Sequence, residues 1–208
     1  LKVIGFHEHF RSNGMTDQTD DFERKAVSYN FSIDVHSLLS FSVYSNHVVW
    51  VTKDGQGYAV GDNRGYAIIG TLQEKEYSET TKFDFIDDEG QACKLLSVVC
   101  GSCYTLYHVH PHNQSDKTRL AFVEWQKGKG KPLFLNTAGW NAKRLFGGRE
   151  TAAAIDTSGS IIIISDIVFD SPDELPPVLF LPDKEKASCV AASRNFIFAL
   201  SLSGKVSS

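Results

Sequence analysis

The sequence predicts an all-β protein built from repeated antiparallel sheets, and three observations support this prediction. Short runs rich in Val, Ile, Phe and Tyr alternate apolar with polar residues, which is the two-residue period of a strand. Gly, Asn, Asp and Ser separate these runs, and long amphipathic helical stretches are scarce. One pattern of strand, glycine turn and strand recurs along the chain, which indicates a repeat architecture.

The predicted strands follow one another through most of the chain. In order, they are 48–52, 58–60, 95–100, 105–109, 120–125, 152–156, 160–165, 178–181 and 196–200. The best helical candidate is 21–28, which is short and weakly patterned. We therefore expect a protein that is almost all β.

The recurring pattern sets the length of the repeat. Taking His47, Tyr104, Thr151 and Phe196 as equivalent points gives steps of 57, 47 and 45 residues. In an all-β protein, a period of about 40–50 residues is typical of propeller blades. We predict a single propeller-type domain or segment over 1–208, with about four blades of four antiparallel strands each. The approximate units are 1–34 (the back half of a unit plus a linker), 35–92, 93–140, 141–186 and 187–208 (the front half of a unit).

Glycines are expected at the turns of these units, because Gly adopts positive φ at little cost. Asp-Gly or Ser-Gly stands at the turn of three predicted hairpins. The predicted structural turn glycines are Gly55, Gly61, Gly101, Gly148, Gly159 and Gly204.

The best copy of the unit is 54–65, which reads Asp-Gly-Gln-Gly-Tyr-Ala-Val-Gly-Asp-Asn-Arg-Gly. Its Asp-Gly, its Tyr and its Gly-Asp-Asn stand in the order of the repeat of the regulator-of-chromosome-condensation family, which the sequence resembles. The front half of that repeat is matched at 100–106 and 148–152, and more weakly at 193–197. The copies are degenerate, since the Trp that the family places before its second Gly is Val60 in this copy.

The resemblance implies a β-propeller, and members of the family usually close seven blades. We therefore expect this chain to be part of a larger, seven-bladed propeller. The resemblance also implies a non-enzymatic interaction module or scaffold that binds another protein through loops on a propeller face, without a cofactor. The best-known branch of the family performs guanine-nucleotide exchange on a small GTPase, which is the alternative function, although no exchange residue maps onto this chain.

Three residues on the segment that enters the third copy are predicted to bind a partner, namely Trp140, Arg144 and Arg149. Aromatic and Arg side chains supply most of the binding free energy at protein interfaces. Core packing between blades is the alternative role of Trp140. Nearby, Lys and Gly alternate over 127–131, which is typical of a solvated hairpin loop. The alternative is a basic patch that these lysines form with Lys143, Arg144 and Arg149 on a neighbouring loop.

A function of another class rests on His108, His110 and His112. Alternate residues of a strand point the same way, so these imidazoles would face one metal ion in a metal-dependent β-barrel enzyme. The repeat spacing argues against a barrel, and we predict no metal and no catalytic residue. Cys100 and Cys103 have the Cys-x-x-Cys spacing, but no second pair completes a zinc site, so packing within a blade accounts for them.

Charge and hydropathy exclude further classes of partner. The 208 residues include 21 Lys or Arg and 25 Asp or Glu, so the formal net charge is −4, and we expect no nucleic-acid binding. The longest apolar run, 161–164, is far shorter than the roughly 20 residues of a membrane helix, so we expect no membrane insertion. Because the N-terminus lacks a signal-peptide pattern and the four cysteines fit reduced thiols, we predict a cytoplasmic or nuclear location.

Overall fold

A computed structural model describes most of the chain. The described residues are 2–8, 24–30, 34–44, 47–63, 68, 75–102, 104–112, 118–124, 132–135, 141–165, 177–193 and 196–207. Within them the protein is all-β, as predicted, apart from one short 3-10 turn at Pro182–Lys184. No helix in these ranges is long and apolar enough to cross a membrane.

The first two sets of strands follow the chain order. Strands β1 (Lys2–Glu8) and β2 (Arg24–Asn30) pair with each other as a two-stranded ribbon. Sheet 1 then contains, in order, β3 (Leu38–Tyr44), β4 (His47–Thr52), β5 (Gly57–Asp62) and β6 (Glu76–Phe83). Sheet 2 contains β7 (Phe85–Ile86), β8 (Ala92–Cys100), β9 (Tyr104–Pro111), β10 (Arg119–Glu124) and β11 (Leu133–Phe134).

Two further sheets complete the described part. Sheet 3 contains β12 (Ala142–Gly147), β13 (Thr151–Asp156), β14 (Ile161–Ser165) and β15 (Val178–Leu179). Sheet 4 contains β16 (Ala187–Ala192), β17 (Ile197–Ser201) and β18 (Val206–Ser207). Sheets 1 and 3 have the predicted four strands, whereas sheet 2 has five and sheet 4 has three in the residues described.

The helical candidate at 21–28 is a strand where the structure describes it. Residues 24–28 lie in β2, which pairs with β1 from Glu8↔Arg24 to Lys2↔Asn30, and 21–23 lie outside the described residues. An isolated helix of this length is marginal in water, so pairing with a distant strand decides the conformation.

The four sheets repeat the same local geometry. Three of the predicted equivalent points begin a strand: β4 begins at His47, β9 at Tyr104 and β13 at Thr151. The fourth, Phe196, directly precedes β17. Each sheet also has a β-bulge, where the register shifts, in the strand that precedes these. We call these preceding strands, β3, β8, β12 and β16, the leading strands. The four shifts are at Leu38/Ser40, Leu95/Ser97, Ala142/Arg144 and Ala187/Cys189. Such a shared irregularity shows that the sheets are copies of one unit.

The sheets stack face to face in chain order, and the core lies between them. One apolar cluster joins sheets 1 and 2 around Val49 and Tyr107, and a second joins sheets 2 and 3 around Leu106 and Ala154. A third joins sheets 3 and 4, where it includes Ile155, Ile161, Ala187 and Val190. Strands buried on both faces read as continuous apolar runs, as β13 does.

Polar contacts fix the register between sheets 1 and 2. The Ser40 hydroxyl accepts a hydrogen bond from the Val98 N–H at 3.1 Å, and the Ser42 hydroxyl accepts one from the Cys100 N–H at 2.9 Å. His47 is buried, and its Nε2 lies 3.4 Å from the Thr105 hydroxyl. These contacts tie β3 and β4 of sheet 1 to β8 and β9 of sheet 2.

Between sheets 2 and 3, a tyrosine takes the same role. The Tyr104 hydroxyl donates to the Gly148 carbonyl at 3.0 Å and accepts from the Gly148 N–H at 3.2 Å. The Ser102 N–H donates to the Arg149 carbonyl at 2.8 Å. Successive sheets held face to face in this way form the blades of a propeller.

Glycines with positive φ close three hairpins, which join β4 to β5, β13 to β14, and β17 to β18. Gly55, Gly159 and Gly204 all have φ of +89°, which L side chains rarely adopt. Their N–H groups donate to the carbonyls of Thr52, Asp156 and Ser201 at 2.8, 3.2 and 3.1 Å. Gly61 also has positive φ, whereas Gly101 and Gly148 lie in the turns before β9 and β13 without it.

The environments of Gly159 and Gly204 differ, which gives a paired test of stacking. We expect Gly204→Ala to lower the free energy of unfolding by about 1–2 kcal/mol through left-handed strain alone. Gly159→Ala should cost about 1–3 kcal/mol more, because its new Cβ would lie 2.5 Å from Lys186 Cβ in the next sheet and overpack that contact. Urea denaturation of both variants measures the difference, and equal losses would contradict it.

The buried side chain of His47 should make the free energy of unfolding depend on pH. Burial lowers the pKa of His47 from 6.5 to about 4, and the Asp62 carboxylate offsets part of this effect. Because the unfolded chain then binds the proton more readily than the folded one, stability should fall as pH drops from about 6.5 to about 4. The expected loss from this residue is on the order of 3 kcal/mol. Denaturant titrations over that range should show a smaller pH dependence for His47→Gln, and parallel curves would exclude this role.

Candidate functional site

The structure separates the residues predicted to bind a partner. Arg144 is exposed near the start of β12, whereas Arg149 lies beyond the other end of that strand. Arg149 is not among the residues that line the cleft around Arg144, so the structure does not bring these two guanidinium groups into one site. Trp140 lies outside the described residues, as does 127–131.

Arg149 is held by local contacts at its end of sheet 3. Its side chain is 64% exposed, and its Nε lies 3.6 Å from the Glu150 carboxylate. An exposed ion pair of this kind contributes little to stability.

Arg144, in contrast, lines a cleft between sheets 3 and 4. Its Nη1 donates to the Ser188 carbonyl of β16 at 3.1 Å, which crosses from one sheet to the next. The cleft has a volume of about 230 Å³. Its charged lining residues are Lys143, Arg144, Asp156 and Lys186.

The β-bulge in β12 explains how two neighbouring cations face the same cleft. The register shift between Ala142 and Arg144 leaves Lys143 as the extra residue of the strand. A bulge places two residues opposite one partner residue and re-aims their side chains. Lys143 and Arg144 therefore both line the cleft, although they are adjacent on a strand.

Three backbone hydrogen bonds shape the walls of the cleft. The Thr157 N–H donates to the Asn141 carbonyl at 3.2 Å within sheet 3. The Ala187 N–H donates to the Gly159 carbonyl at 2.9 Å and joins the two sheets. The Leu202 N–H donates to the Lys186 carbonyl at 2.8 Å within sheet 4. The lining is thus held by backbone and does not depend on flexible side chains alone.

The cleft carries excess positive charge. Its Asp156 carboxylate is engaged by its own turn, where Oδ1 accepts from the Ser158 hydroxyl at 2.6 Å and the Ser160 N–H at 2.9 Å. Among the described residues, the ion pairs are Arg119–Asp88, Arg149–Glu150 and Lys205–Glu185, and none of them includes a cation of the cleft. A concave surface with this charge favours ligands that carry carboxylates or other anions.

The histidine motif does not form a metal site in the part of the chain described. His108 is buried in β9, His110 is half-buried, and His112 is exposed after the strand. Burial lowers the pKa of His108 to about 4, with a further lowering by His110. The described residues contain no group of three or more His, Cys, Asp or Glu placed to hold a metal ion. The β-barrel alternative, against which the repeat spacing argued, is wrong, because the described strands form separate stacked sheets.

The thiols that the structure describes at the inter-sheet core are packed and unreactive. Burial raises the pKa of Cys100 to about 12 and that of Cys93 to about 11. A thiol with such a pKa is protonated at neutral pH and is a poor nucleophile. Cys103, the second residue of the Cys-x-x-Cys motif, lies outside the described residues.

Sequence reasoning named Lys143 and Arg144 but missed Lys186, the third cation of the cleft. Lys186 is the last residue of the predicted unit 141–186 and directly precedes β16, and the stacking of sheet 4 on sheet 3 brings it beside Arg144. One feature of the sequence pointed to Lys186. It precedes the aliphatic residue Ala187, as Lys94 precedes Leu95 in sheet 2. Each lysine packs over the turn glycine of the preceding sheet: Lys94 over Gly55, and Lys186 over Gly159.

Comparisons with known proteins identify the fold. No family model matches the sequence, and no curated protein matches it. The crystal structure of human WBSCR16 matches 99% of this chain and 72% of its own, with a TM-score of 0.52 and 14% identity. The crystal structure of Kap60 bound to yeast RCC1 (Prp20) gives a match over 99% of this chain and 51% of that chain, with a TM-score of 0.61 and 11% identity. At these identities the likeness shows the fold alone, and the chain has an RCC1-like β-propeller fold.

Proposed function

We propose that this chain is a non-enzymatic protein-interaction module that binds an acidic segment of another protein in the cleft between sheets 3 and 4. The observation that carries the proposal is the set of cations in that cleft, Lys143, Arg144 and Lys186, without an ion pair in the described residues. In a chain with net charge −4, three cations and one carboxylate around this cleft leave a local excess of positive charge, which favours an anionic ligand at that place.

The chemistry of the cleft suits peptide carboxylates. The guanidinium of Arg144 is already oriented by the Ser188 carbonyl, which lowers the entropy lost when a carboxylate binds. The exposed Leu202 side chain at the rim offers apolar contact beside the charges. A segment that alternates acidic and apolar residues matches this surface.

The fold supports a protein partner rather than a small substrate. Propeller strands form a rigid scaffold, and binding residues are carried at their ends and turns. Yeast RCC1, which shares the fold, is bound to the protein Kap60 in its crystal structure. The proposal includes a ring with more blades than the four described sheets, seven in the family that the sequence resembles, and the cytoplasmic or nuclear location stays a prediction.

Charge reversal in the cleft tests the binding function. We expect Lys143→Glu with Arg144→Glu to weaken binding of a fluorescein-labelled hexaglutamate peptide by about tenfold, since each exposed charge pair contributes roughly 0.2–1 kcal/mol and reversal adds repulsion. Fluorescence anisotropy at low and high salt measures the affinity, which should fall with added salt.

The matched control is Lys82→Glu, an exposed lysine on β6 of sheet 1 that lies outside the cleft. Its binding should equal that of the unmodified protein. If both variants weaken binding alike, general attraction between charges explains the result and the cleft is not the site.

Guanine-nucleotide exchange is the second function that the family resemblance implies, and the fold likeness to yeast RCC1 supports testing it. We expect no acceleration of GDP release when the chain is mixed with small GTPases loaded with fluorescent GDP. The reason is that no exchange residue of the family that the sequence resembles maps onto this chain. A catalytic increase in the release rate would identify an exchange factor and overturn the first proposal.

A further inference from the structure

Two junctions between stacked sheets share one backbone geometry but differ in charge. Where sheet 1 meets sheet 2, the Gly55 carbonyl accepts a hydrogen bond from the Leu95 N–H at 3.0 Å. Where sheet 3 meets sheet 4, the Gly159 carbonyl accepts one from the Ala187 N–H at 2.9 Å. In both junctions a lysine packs over the glycine. The first junction therefore shows what stacking requires, and the second can be compared with it.

The comparison shows that two cations of the cleft are additions to the stacking contact. The β-bulges of β3 and β12 align these two leading strands with each other. In this alignment Leu39 and Ser40 occupy the places of Lys143 and Arg144. The same stacking contact thus forms between sheets 1 and 2 without a cation at either place, so the fold does not explain Lys143 and Arg144.

We propose that the cleft between sheets 3 and 4 binds a phosphorylated Ser or Thr side chain, which is carried by the acidic segment of the partner protein. This inference rests on the proposed function, because it names the group of that segment that occupies the cleft. A segment whose anions are carboxylates alone should bind more weakly.

The formal charge of the cleft matches a phosphate dianion. Three cations and one carboxylate line the cleft, which leaves a formal charge of +2. A phosphorylated side chain carries about −1.5 to −2 at neutral pH. A Glu or Asp carboxylate carries a single negative charge. One phosphate therefore neutralises the cleft, whereas one carboxylate leaves half of its positive charge unpaired.

The cations surround one cavity and do not follow a line. Lys143 and Arg144 line the cavity from β12, and Lys186 lines it from the residue before β16, around a volume of about 230 Å³. Carboxylates on one face of an extended peptide lie about 7 Å apart, which suits a row of cations along a groove. A phosphate instead presents three acceptor oxygens at one point. The arrangement therefore favours a single multivalent anion.

Two carboxylates stand beside the cleft cations, and both are engaged by other groups. Asp156 lines the cleft and accepts hydrogen bonds from its own turn. Glu185 precedes Lys186, but its carboxylate accepts from the Lys205 ammonium at 2.7 Å and from the Ser203 hydroxyl at 2.6 Å. These contacts hold Glu185 at the turn of sheet 4, so the charge of Lys186 is available to a ligand.

Arg144 is oriented to bind a phosphate. Its Nη1 donates to the Ser188 carbonyl at 3.1 Å, which uses one of the five N–H donors of the guanidinium. The remaining donors form the planar fork that binds two phosphate oxygens at once. Because the Ser188 contact already fixes the guanidinium, less entropy is lost on binding.

The test compares two fluorescein-labelled peptides that differ in one anion. The first reads Glu-Glu-Leu-phosphoserine-Leu-Glu-Glu, and the second has Glu in place of the phosphoserine. We expect the phosphoserine peptide to bind the 208-residue chain about tenfold more tightly at about pH 7.5, because its second charge is paired in the cleft. Fluorescence anisotropy measures both affinities.

The same ratio should fall to about threefold at about pH 5.5. The second pKa of a phosphorylated side chain is about 6, so most of the phosphoserine peptide is then a monoanion. The residues that line the cleft include no His, and the Glu peptide corrects for changes in the protein that affect both ligands.

Lys186→Met and Lys94→Met form a matched pair of variants. Each keeps the aliphatic stem that packs over a turn glycine, and each removes one positive charge. We expect Lys186→Met to lower the ratio of the two affinities from about tenfold to about threefold, since the cleft loses one of its three cations. Lys94→Met lies at the junction of sheets 1 and 2 and should leave the ratio unchanged.

Four results would overturn the inference. Equal binding of the two peptides would mean that carboxylates suffice, and the proposed function would then stand by itself. Binding of neither peptide would mean that the proposed function fails as well. An equal fall of the ratio in both lysine variants would place the phosphate outside the cleft. Displacement of the phosphoserine peptide by an equal concentration of inorganic phosphate would mean that the ligand is a free anion.

Discussion

The architecture depends on one device, a left-handed glycine that closes a hairpin in one sheet and accepts a hydrogen bond from the next. Gly159 shows it most clearly, since its N–H donates to Asp156 while its carbonyl accepts from Ala187. Lys186 packs against the same glycine, in space that any side chain would fill. Because one residue serves both the turn and the stacking, neither changes without the other. The same device at Gly55 joins sheets 1 and 2.

The basic cleft is a consequence of this stacking. The hydrogen bond from Ala187 to Gly159 brings the preceding residue, Lys186, to the edge of sheet 3, where Arg144 reaches the Ser188 carbonyl. The bulge then adds Lys143 to the same surface. The local positive charge is therefore set by backbone geometry, in a chain whose total charge is negative. A site held in this way is preorganised for its ligand.

Sequence reasoning succeeded where the backbone demands a residue type. A turn at φ of +89° requires Gly, so Gly55, Gly159 and Gly204 marked equivalent points along the chain. It failed where the deciding partner is distant. The two-residue strand β7 is too short to show a period, and the strand at 24–28 depends on pairing with β1. The cleft was only partly visible for the same reason, because stacking unites residues of two repeat units.

The side chains of β17 are apolar on both faces of sheet 4. Its residues that face sheet 3 are Ile197, Ala199 and Ser201, whereas Phe198 and Leu200 point away. A sheet with one solvated face shows the reverse, with polar side chains on the outer side. In β13 both faces are covered, and every residue is buried. Since β17 repeats β13 in register, Phe198 and Leu200 stand where sheet 3 has Ala153 and Ile155, which are buried.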